Sequence, residues 1–548
     1  MTHASLAFAL SAPVLVLVAC APPPPSPDLV LINGRIFTGA SAQPSAEALA
    51  ITGERISAVG SSEAVRAMAG SATRVIDLHG QRVIPGLNDA HTHPGAQPRM
   101  EELRGPSVIE HDPTLPEVLE RIKAAVARAP RDSWISGEIG GAVLDDPGAT
   151  RFAVDAVSAD HPVILVAWTG HGTLFNTAAL RRLGVRDDEA DPLGGSFRRM
   201  PGTTTLSGFA QEYAEFRLRR QLADTVTDDE QRAAFAAFTK EAAGFGITTA
   251  QAMMSTVSVE RAPALLASAT LPIRVRLIDF PLGPEPSPPA PARPAGRLTI
   301  TGTKLVFDGT PVERGMWLRE PYADWDTRGR ANFAPEQLRR FLQRARDAGA
   351  QPMVHAAGDA AIDAVLDALD RTGGEAWRPL RPRIEHGDLL GPDQYERVRR
   401  LGVVVVQNPS HFMIPDVINT RFRGDTRRRT ATVKSLVAAG IPFALGSDGP
   451  LNPFLNMMFA TINAIQPSEA LTLEQALRAY TAGAAFAEGQ ESTKGTLEVG
   501  KLADLAVLSQ DIFAVPPAAL PGTTSVMTIV GGRIVHERNS SGSSAGER

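Results

Sequence analysis

Six side chains of metal-ligand type stand where apolar runs of this sequence end. His91 and His93 close VIPGLNDAHTH (83–93), and Lys304 sits in TKLVFDG (303–309). His355 ends PMVH (352–355), His386 lies in RIEHG (383–387) and Asp448 in FALGSDG (443–449). Neutral imidazole is the commonest protein metal ligand, and carboxylate or carbamate oxygens complement it for zinc-like ions. Strand alternation puts His91 and His93 on one side, so both can reach one ion. A lone His-x-His would be weak. The ordered series His-x-His, Lys, His, His, Asp at successive strand ends is strong.

The elements that must carry these residues are legible as alternation. Strand-like runs occur at VIPGLNDAH, 247–253, 273–280, 303–309, 352–358, 383–388, 403–411 and 443–449. Helix-period segments such as PEQLRRFLQRARDAG, DAAIDAVLDALDR, PDQYERVRRLG and ATVKSLVAAG lie between several of them. Eight short apolar strands, most followed by a helix, predict an α/β fold, a (β/α)8 TIM-type barrel whose active site lies at the C-terminal strand ends. The barrel is expected over 86–494. Roughly 150 residues separate its first two strands, far more than a crossover needs. That stretch, about 95–245, has strand and helix patterns of its own and is expected to be an insert over the barrel mouth. PLGPEPSPPAPARPAG (281–296) is expected to be a stiff surface loop.

Short alternating pieces with glycine turns fill 29–85 and return in 495–537, predicting one small antiparallel β domain, a sandwich composed from both chain ends. Residues 538–548 read as a disordered tail. Of 548 residues, 43% are hydrophobic and 21% charged, an ordinary globular balance. A net charge of −5 and 5% aromatic residues argue against a nucleic-acid partner. Cys20 is the single cysteine, so beyond it the mature chain is expected to have no disulfides and no thiolate metal ligands. It follows an apolar run at 5–19, too short to span a bilayer, and precedes APPPPSPD (21–28), an extended linker. LVAC (17–20) resembles a bacterial lipoprotein box, making 1–20 a lipoprotein signal peptide; the alternative is a simple secretory signal with an incidental cysteine. The first ten residues contain no Lys or Arg, a departure from both. The expected address is therefore the periplasmic side or cell envelope, with the membrane a partner only through a lipid anchor.

The chain resembles the amidohydrolase superfamily, and within it amidohydrolase family 3, which includes the N-substituted formamide deformylase-like hydrolases. The resemblance runs from about 28 to 537 and is carried by VIPGLNDAHTHP, WISGEIGG, GHGTLFNTAAL, GFGITTAQ, GTKLVFDG, VHAAGDAAID, RIEHGDLL, QNPSH, GSDGP and KGTLEVGKLADLAVL. It implies a metal-dependent barrel hydrolase of amide-like C–N bonds, acting on a small-molecule amide rather than on peptide bonds in proteins, with a homo-oligomer compatible. It also implies two divalent ions, zinc being the first choice. His91, His93 and Asp448 would hold the deeper ion, and His355 and His386 the more exposed one. An ammonium beside two dications is repelled, so Lys304 as a ligand must be carboxylated, its carbamate bridging both ions. The alternatives for Lys304 are pairing with Asp308 or contact with substrate. Asp448 would be ligand and general base together, taking a proton from the attacking water and delivering it to the leaving amine.

His411, ending VVVVQNPSH, reads as a substrate-contacting or supporting donor, or as simple structure. His171 in TGHGT could reach substrate from the insert, with Glu212 a weaker candidate of the same kind. Where relatives commonly read DGSLGSRTA after the fourth strand, this chain has DGTPVERGMWL; Arg314 is expected to keep an arginine's substrate contact. Deaminases of the superfamily commonly carry an acidic residue three positions after the fifth-strand histidine, whereas His355 is followed by Ala356-Ala357-Gly358. A non-catalytic binding protein on the same barrel would have lost ligands, and this chain retains every expected type.

Overall fold

The computed structural model describes residues 26–158, 160–266, 269–283 and 296–538. The expected leader 1–20 lies outside them, as do all but the ends of 21–28, 281–296 and 538–548. Eight parallel strands form one sheet in sequence order: Leu87–Thr92, Ile247–Met253, Arg274–Asp279, Leu298–Val306, Pro352–Ala356, Arg383–His386, Val404–Gln407 and Phe443–Leu445. Strands covered on both faces read as continuous apolar runs rather than alternating ones, and Val404, Val405 and Val406 are all fully buried. The last strand returns to the first. Asp448 N–H donates to the His91 carbonyl at 2.9 Å, and a Cβ at Gly446 would fall 2.5 Å from the His91 nitrogen. Only glycine permits that approach, which places Asp448 beside His91.

The predicted β domain is present, with one correction. Its six-stranded sheet does draw on both chain ends: Arg35–Phe37, Ser45–Ala46 and Arg82–Pro85 join Leu505–Leu508, Ser525–Val530 and Arg533–Glu537. Its four-stranded partner comes from the N-terminal segment alone. The two sheets enclose a core that includes Leu31, Ile51, Val83, Leu505 and Ile529. The domain is mixed rather than antiparallel, because Leu29–Ile32 pairs parallel with Arg74–Asp77, and Arg35–Phe37 parallel with Arg82–Pro85. The intervening residues are long enough to serve as crossovers, which local alternation does not reveal.

The insert builds a mixed sheet of its own, from Glu101–Glu102, Ile135–Ile139, Val163–Ala167, Gly172–Phe175, Gly195–Arg199 and Leu206–Glu212. It has a separate core in which Val118, Ile122, Val143 and Leu165 are buried. The helix Asp228–Gly244 leads back to the barrel. Thr227 accepts the Glu230 N–H while Glu230 accepts the Thr227 N–H, and three acidic residues occupy the first turn, so its start is fixed by capping and by the helix dipole.

Candidate metal centre

At the C-terminal ends of the barrel strands the predicted ligand types converge. His91 Nε2 lies 3.2 Å from His93 Nε2 and 3.7 Å from Asp448 Oδ1, and His93 Nε2 is 3.3 Å from the same oxygen. His386 Nδ1 is 3.8 Å from Asp448 Oδ2, and its ring packs 4.4 Å from that of His355. His91, His386 and Asp448 each present a ligand atom within 4.8 Å of the others. This tight trio combines His91 and Asp448, assigned above to the deeper ion, with His386, assigned to the exposed one. His386 Nδ1 is also buried without a hydrogen-bond partner, as a nitrogen reserved for a ligand would be. The donor set fits a divalent cation.

Burial drives the electrostatics. It lowers His91 to about 4 and holds His355 and His386 well below the usual imidazole range, so all three are neutral and able to ligate. Burial alone would raise Asp448, but the surrounding His91 and His93 outweigh it and keep the carboxyl well below its usual range. Lys304 lies among these groups, lining the same cavity as His91, His355, His386 and Asp448. Burial brings its amine down to about 8. Asp308, four residues on, instead accepts the backbone N–H groups of Trp317, Ala357 and Gly358 at 2.9–3.0 Å. It fixes the loop after His355, and no Lys304–Asp308 ion pair forms among the described residues.

Two candidate ligands, His386 and Asp448, break the strand rule. Glu385 and His386 are consecutive, yet Glu385 bonds His91 while the His386 ring lies 5.2 Å from the His91 ring. Alternation would send them to opposite sides. His386 instead has φ +69°, and Asp448 likewise has φ +41°. Left-handed backbone at a non-glycine residue is uncommon and costly, and it persists at functional sites where the surroundings enforce it.

Glu385 is the main residue the sequence reading missed. The His91 Nδ1–H donates to Glu385 Oε2 at 2.6 Å, leaving Nε2 toward Asp448. Arg383 grips the same carboxylate at 2.6 and 2.9 Å, and also donates to the Ala90 carbonyl and to Gln251. Arg383 and Glu385 are completely buried, a placement that charged groups tolerate only when paired and fully hydrogen-bonded. The signal was present in the sequence: an Arg and a Glu two apart in a short apolar strand share a face and need each other.

The insert contributes His171. Its Nδ1–H donates to Glu212 at 3.0 Å, and its ring lies 4.8 Å from that of His355. Burial opposes a charge there, but the Glu212 carboxylate outweighs it and lifts His171 to about 9. His411 sits on a short 3-10 turn, Pro409–Met413, not on a strand end. Its ring stacks on His386 at 4.9 Å and its Nδ1–H donates to Asp388 at 3.0 Å. Arg314 is placed elsewhere. Its guanidinium is committed to Asp145 of the insert at 2.5 Å and to Asp324 at 2.7 Å, which corrects the expectation that it reaches into the site. The altered loop turns this arginine into a clamp.

Two cavities, of about 650 and 470 Å3, meet at His171, His355, His386 and Asp448. Ala234, Ala237, Phe238 and Glu241 form one wall of the larger. Their spacing of three, four and seven residues puts them on one face of the helix Asp228–Gly244.

The Amidohydrolase family profile matches residues 74–536. Protein LONG AFTER FAR-RED 3 of Arabidopsis thaliana is 30% identical over 88% of this chain and 87% of its own length. N-substituted formamide deformylase of Arthrobacter pascens is 27% identical over 94% of this chain and 99% of its own. Among solved structures, an uncharacterized metal-dependent hydrolase from Pyrococcus horikoshii OT3 matches with a TM-score of 0.68 at 25% identity, covering 89% of this chain and 99% of that one.

Proposed function

The chain belongs to the amidohydrolase family, and we propose that it hydrolyses an amide-like C–N bond in a small molecule, with Asp448 as general base. The observation that carries this reading is the convergence of His91, His93, His355, His386 and Asp448 at one barrel mouth, with Lys304 lining the same cavity. The similarity to N-substituted formamide deformylase supports a C–N bond as the target. His91, His93 and Asp448 would hold one divalent ion and His355 and His386 a second, with carboxylated Lys304 between them. When bound, such ions supply Lewis acidity and lower the pKa of water. Asp448 accepts a proton from the attacking water and passes it to the leaving nitrogen, acting as base and then as acid. His171, held by Glu212, and His411, held by Asp388, are oriented as donors to substrate oxygen. Arg383 and Glu385 keep His91 in one tautomer.

A carbamate at Lys304 is favoured by its surroundings: the amine is buried and lacks an ion-pair partner among the described residues. For the N-terminal segment we propose export and lipidation at Cys20. The decisive experiment measures metal content of the purified protein and turnover of a panel of N-formyl, N-acyl and cyclic amides, for wild type, Asp448→Asn and Lys304→Ala. Asp448→Asn should abolish turnover. Lys304→Ala should lose metal and activity together, with partial rescue by acetate or propionate. A metal-replete wild type inert to every amide would refute the reaction; a metal-replete Lys304→Ala protein would refute the bridge.

A further inference from the structure

Resting on the amide-hydrolase reading, we propose that the 470 Å3 cavity is the specificity pocket for a bulky, uncharged, apolar substituent on one side of the scissile bond, while the 650 Å3 cavity takes the polar remainder of the substrate. The two cavities share His171, His355, His386 and Asp448, with Trp168, Thr169 and Gly449, and otherwise have different linings. An amide has the same form, with its carbon and nitrogen substituents leaving the reacting centre in different directions.

The walls differ in chemistry. The larger cavity is mixed, adding the hydrogen-bonding side chains Gln97, Arg219 and Glu241 to an apolar lining of Phe216, Phe238, Phe280 and Leu451. The smaller is faced by Val108 and Ile109 from the insert, Val312 and Met316 from the loop after the fourth strand, and Phe412 and Ile418 from the segment after the seventh. Three separate stretches of chain therefore supply apolar side chains to one space. Its carboxylates, Glu138 and Asp388 together with the shared Asp448, would disfavour an anionic substituent. Its volume falls within the ~300–1,000 Å3 of pockets that enclose drug-sized ligands, enough for an aryl group or a medium alkyl chain.

Ile109 adds a second observation. Val108 is only 7% exposed, whereas the neighbouring Ile109 is 63% exposed although both line the cavity. A large aliphatic side chain standing in solvent at the edge of an apolar pocket is covered when an apolar ligand enters. That position makes Ile109 a specificity-determining residue whose replacement spares the core.

The test uses metal-replete protein and straight-chain alkyl hydroxamates from acetyl to octanoyl, with binding measured by calorimetry. It is paired with turnover of N-alkylformamides and N-acyl methylamines of matching lengths. Each added methylene should tighten hydroxamate binding about fourfold until the pocket is full. Ile109→Asp and the pocket-filling Ile418→Trp should flatten that gradient, and flattening by either variant supports the assignment. A flat series in wild type, or a gradient that survives in both variants, would overturn it. The two readings fail separately. A gradient without turnover of any amide sinks the reaction and keeps the pocket, whereas amide turnover with a flat hydroxamate series sinks the pocket and keeps the reaction.

Discussion

The two walls of the site are held by different physics. On the barrel side, His91 is fixed by Glu385 and Arg383, both completely buried and hydrogen-bonded to backbone and side chains of neighbouring strands. On the insert side, His171 is held by Glu212, whose residue sits at φ +55° at the end of an insert strand, with Asn332 from a barrel loop bonding the same carboxylate at 3.1 Å. One wall is a continuous strand ladder. The other is a separate fold leaning on it. The candidate metal ligands sit on the ladder, where a small displacement would lose an ion, and the candidate substrate contact His171 sits on the insert, where position is less exacting.

The contrast breaks most sharply if a pair of histidines on opposite walls behaves alike. His91→Asn should lose metal and cut turnover by about a thousandfold or more, because a ligand and the orientation of its neighbours go together. His171→Asn should keep its metal and lose roughly ten- to a hundredfold in kcat/KM. Metal analysis beside steady-state kinetics reads both. Metal loss in His171→Asn would erase the distinction between the walls.

Glu385→Gln sharpens the barrel side. The amide keeps the shape but offers His91 a weaker partner, and Arg383 is left as a buried cation short of its counter-charge. Metal affinity should fall about ten- to a hundredfold, measured by competition with a chelator. An unchanged affinity would make Glu385 merely structural.

How much of this was legible follows the same division. The eight barrel strands and their order could be read because doubly buried strands are short apolar runs, and each ligand interrupts one at its end. His91, His355, His386 and Asp448 were singled out as candidate ligands for that reason, and the fold brings them to one cavity. Glu385 was hidden by its neighbour: alternation assigns Glu385 and His386 to opposite faces, and only the left-handed backbone at His386 brings both to His91. Arg314 misled for the converse reason. Its sequence position marks a loop near the mouth, but partner choice is set by Asp145, 169 residues away in an insert whose docking no local pattern encodes. The parallel pairings of the β domain were missed because alternation fixes which residues are buried, not which strand lies beside which.

Stability against pH offers a reading of the insert wall alone. Glu215 is completely buried, accepts a hydrogen bond from Thr173 at 2.8 Å, and is pushed by burial from 4.5 to about 8. Its folded value thus exceeds the unfolded one, so the folded state keeps a proton the unfolded state has released. The contribution is whole below pH 4.5 and declines as pH rises toward 8, at up to ~1.4 kcal/mol per pH unit. Glu215→Gln should remove that decline, so that its denaturant midpoint exceeds that of wild type by more at pH 8 than at pH 5. A parallel pH profile in the two proteins would mean that Arg219, 3.5 Å away, keeps Glu215 ionised throughout.

The smallest effect concerns the seam between the walls. Arg314 and Arg421 from the barrel both engage Asp145 of the insert and Asp324, and Arg421 also donates to the Val312 carbonyl at 3.1 Å. This four-charge network ties the insert to the loops after the fourth and seventh strands, beside the apolar cavity that Val312 and Ile418 line. The Asp145 side chain is 37% exposed, so water and salt weaken its pairs, and Arg421 has bonds of its own to Asp145, Asp324 and the Val312 carbonyl that do not depend on Arg314. Arg314→Ala should therefore cost only about 1 kcal/mol in stability. Its clearer signature is kinetic: a KM raised a few-fold with metal content and kcat nearly unchanged, because the insert is held less firmly against the barrel while the ligands are untouched. High salt should raise the wild-type KM toward that of Arg314→Ala and move the variant less. A variant that instead loses kcat at constant KM would return Arg314 to the reacting centre and undo its assignment as a clamp between the two walls.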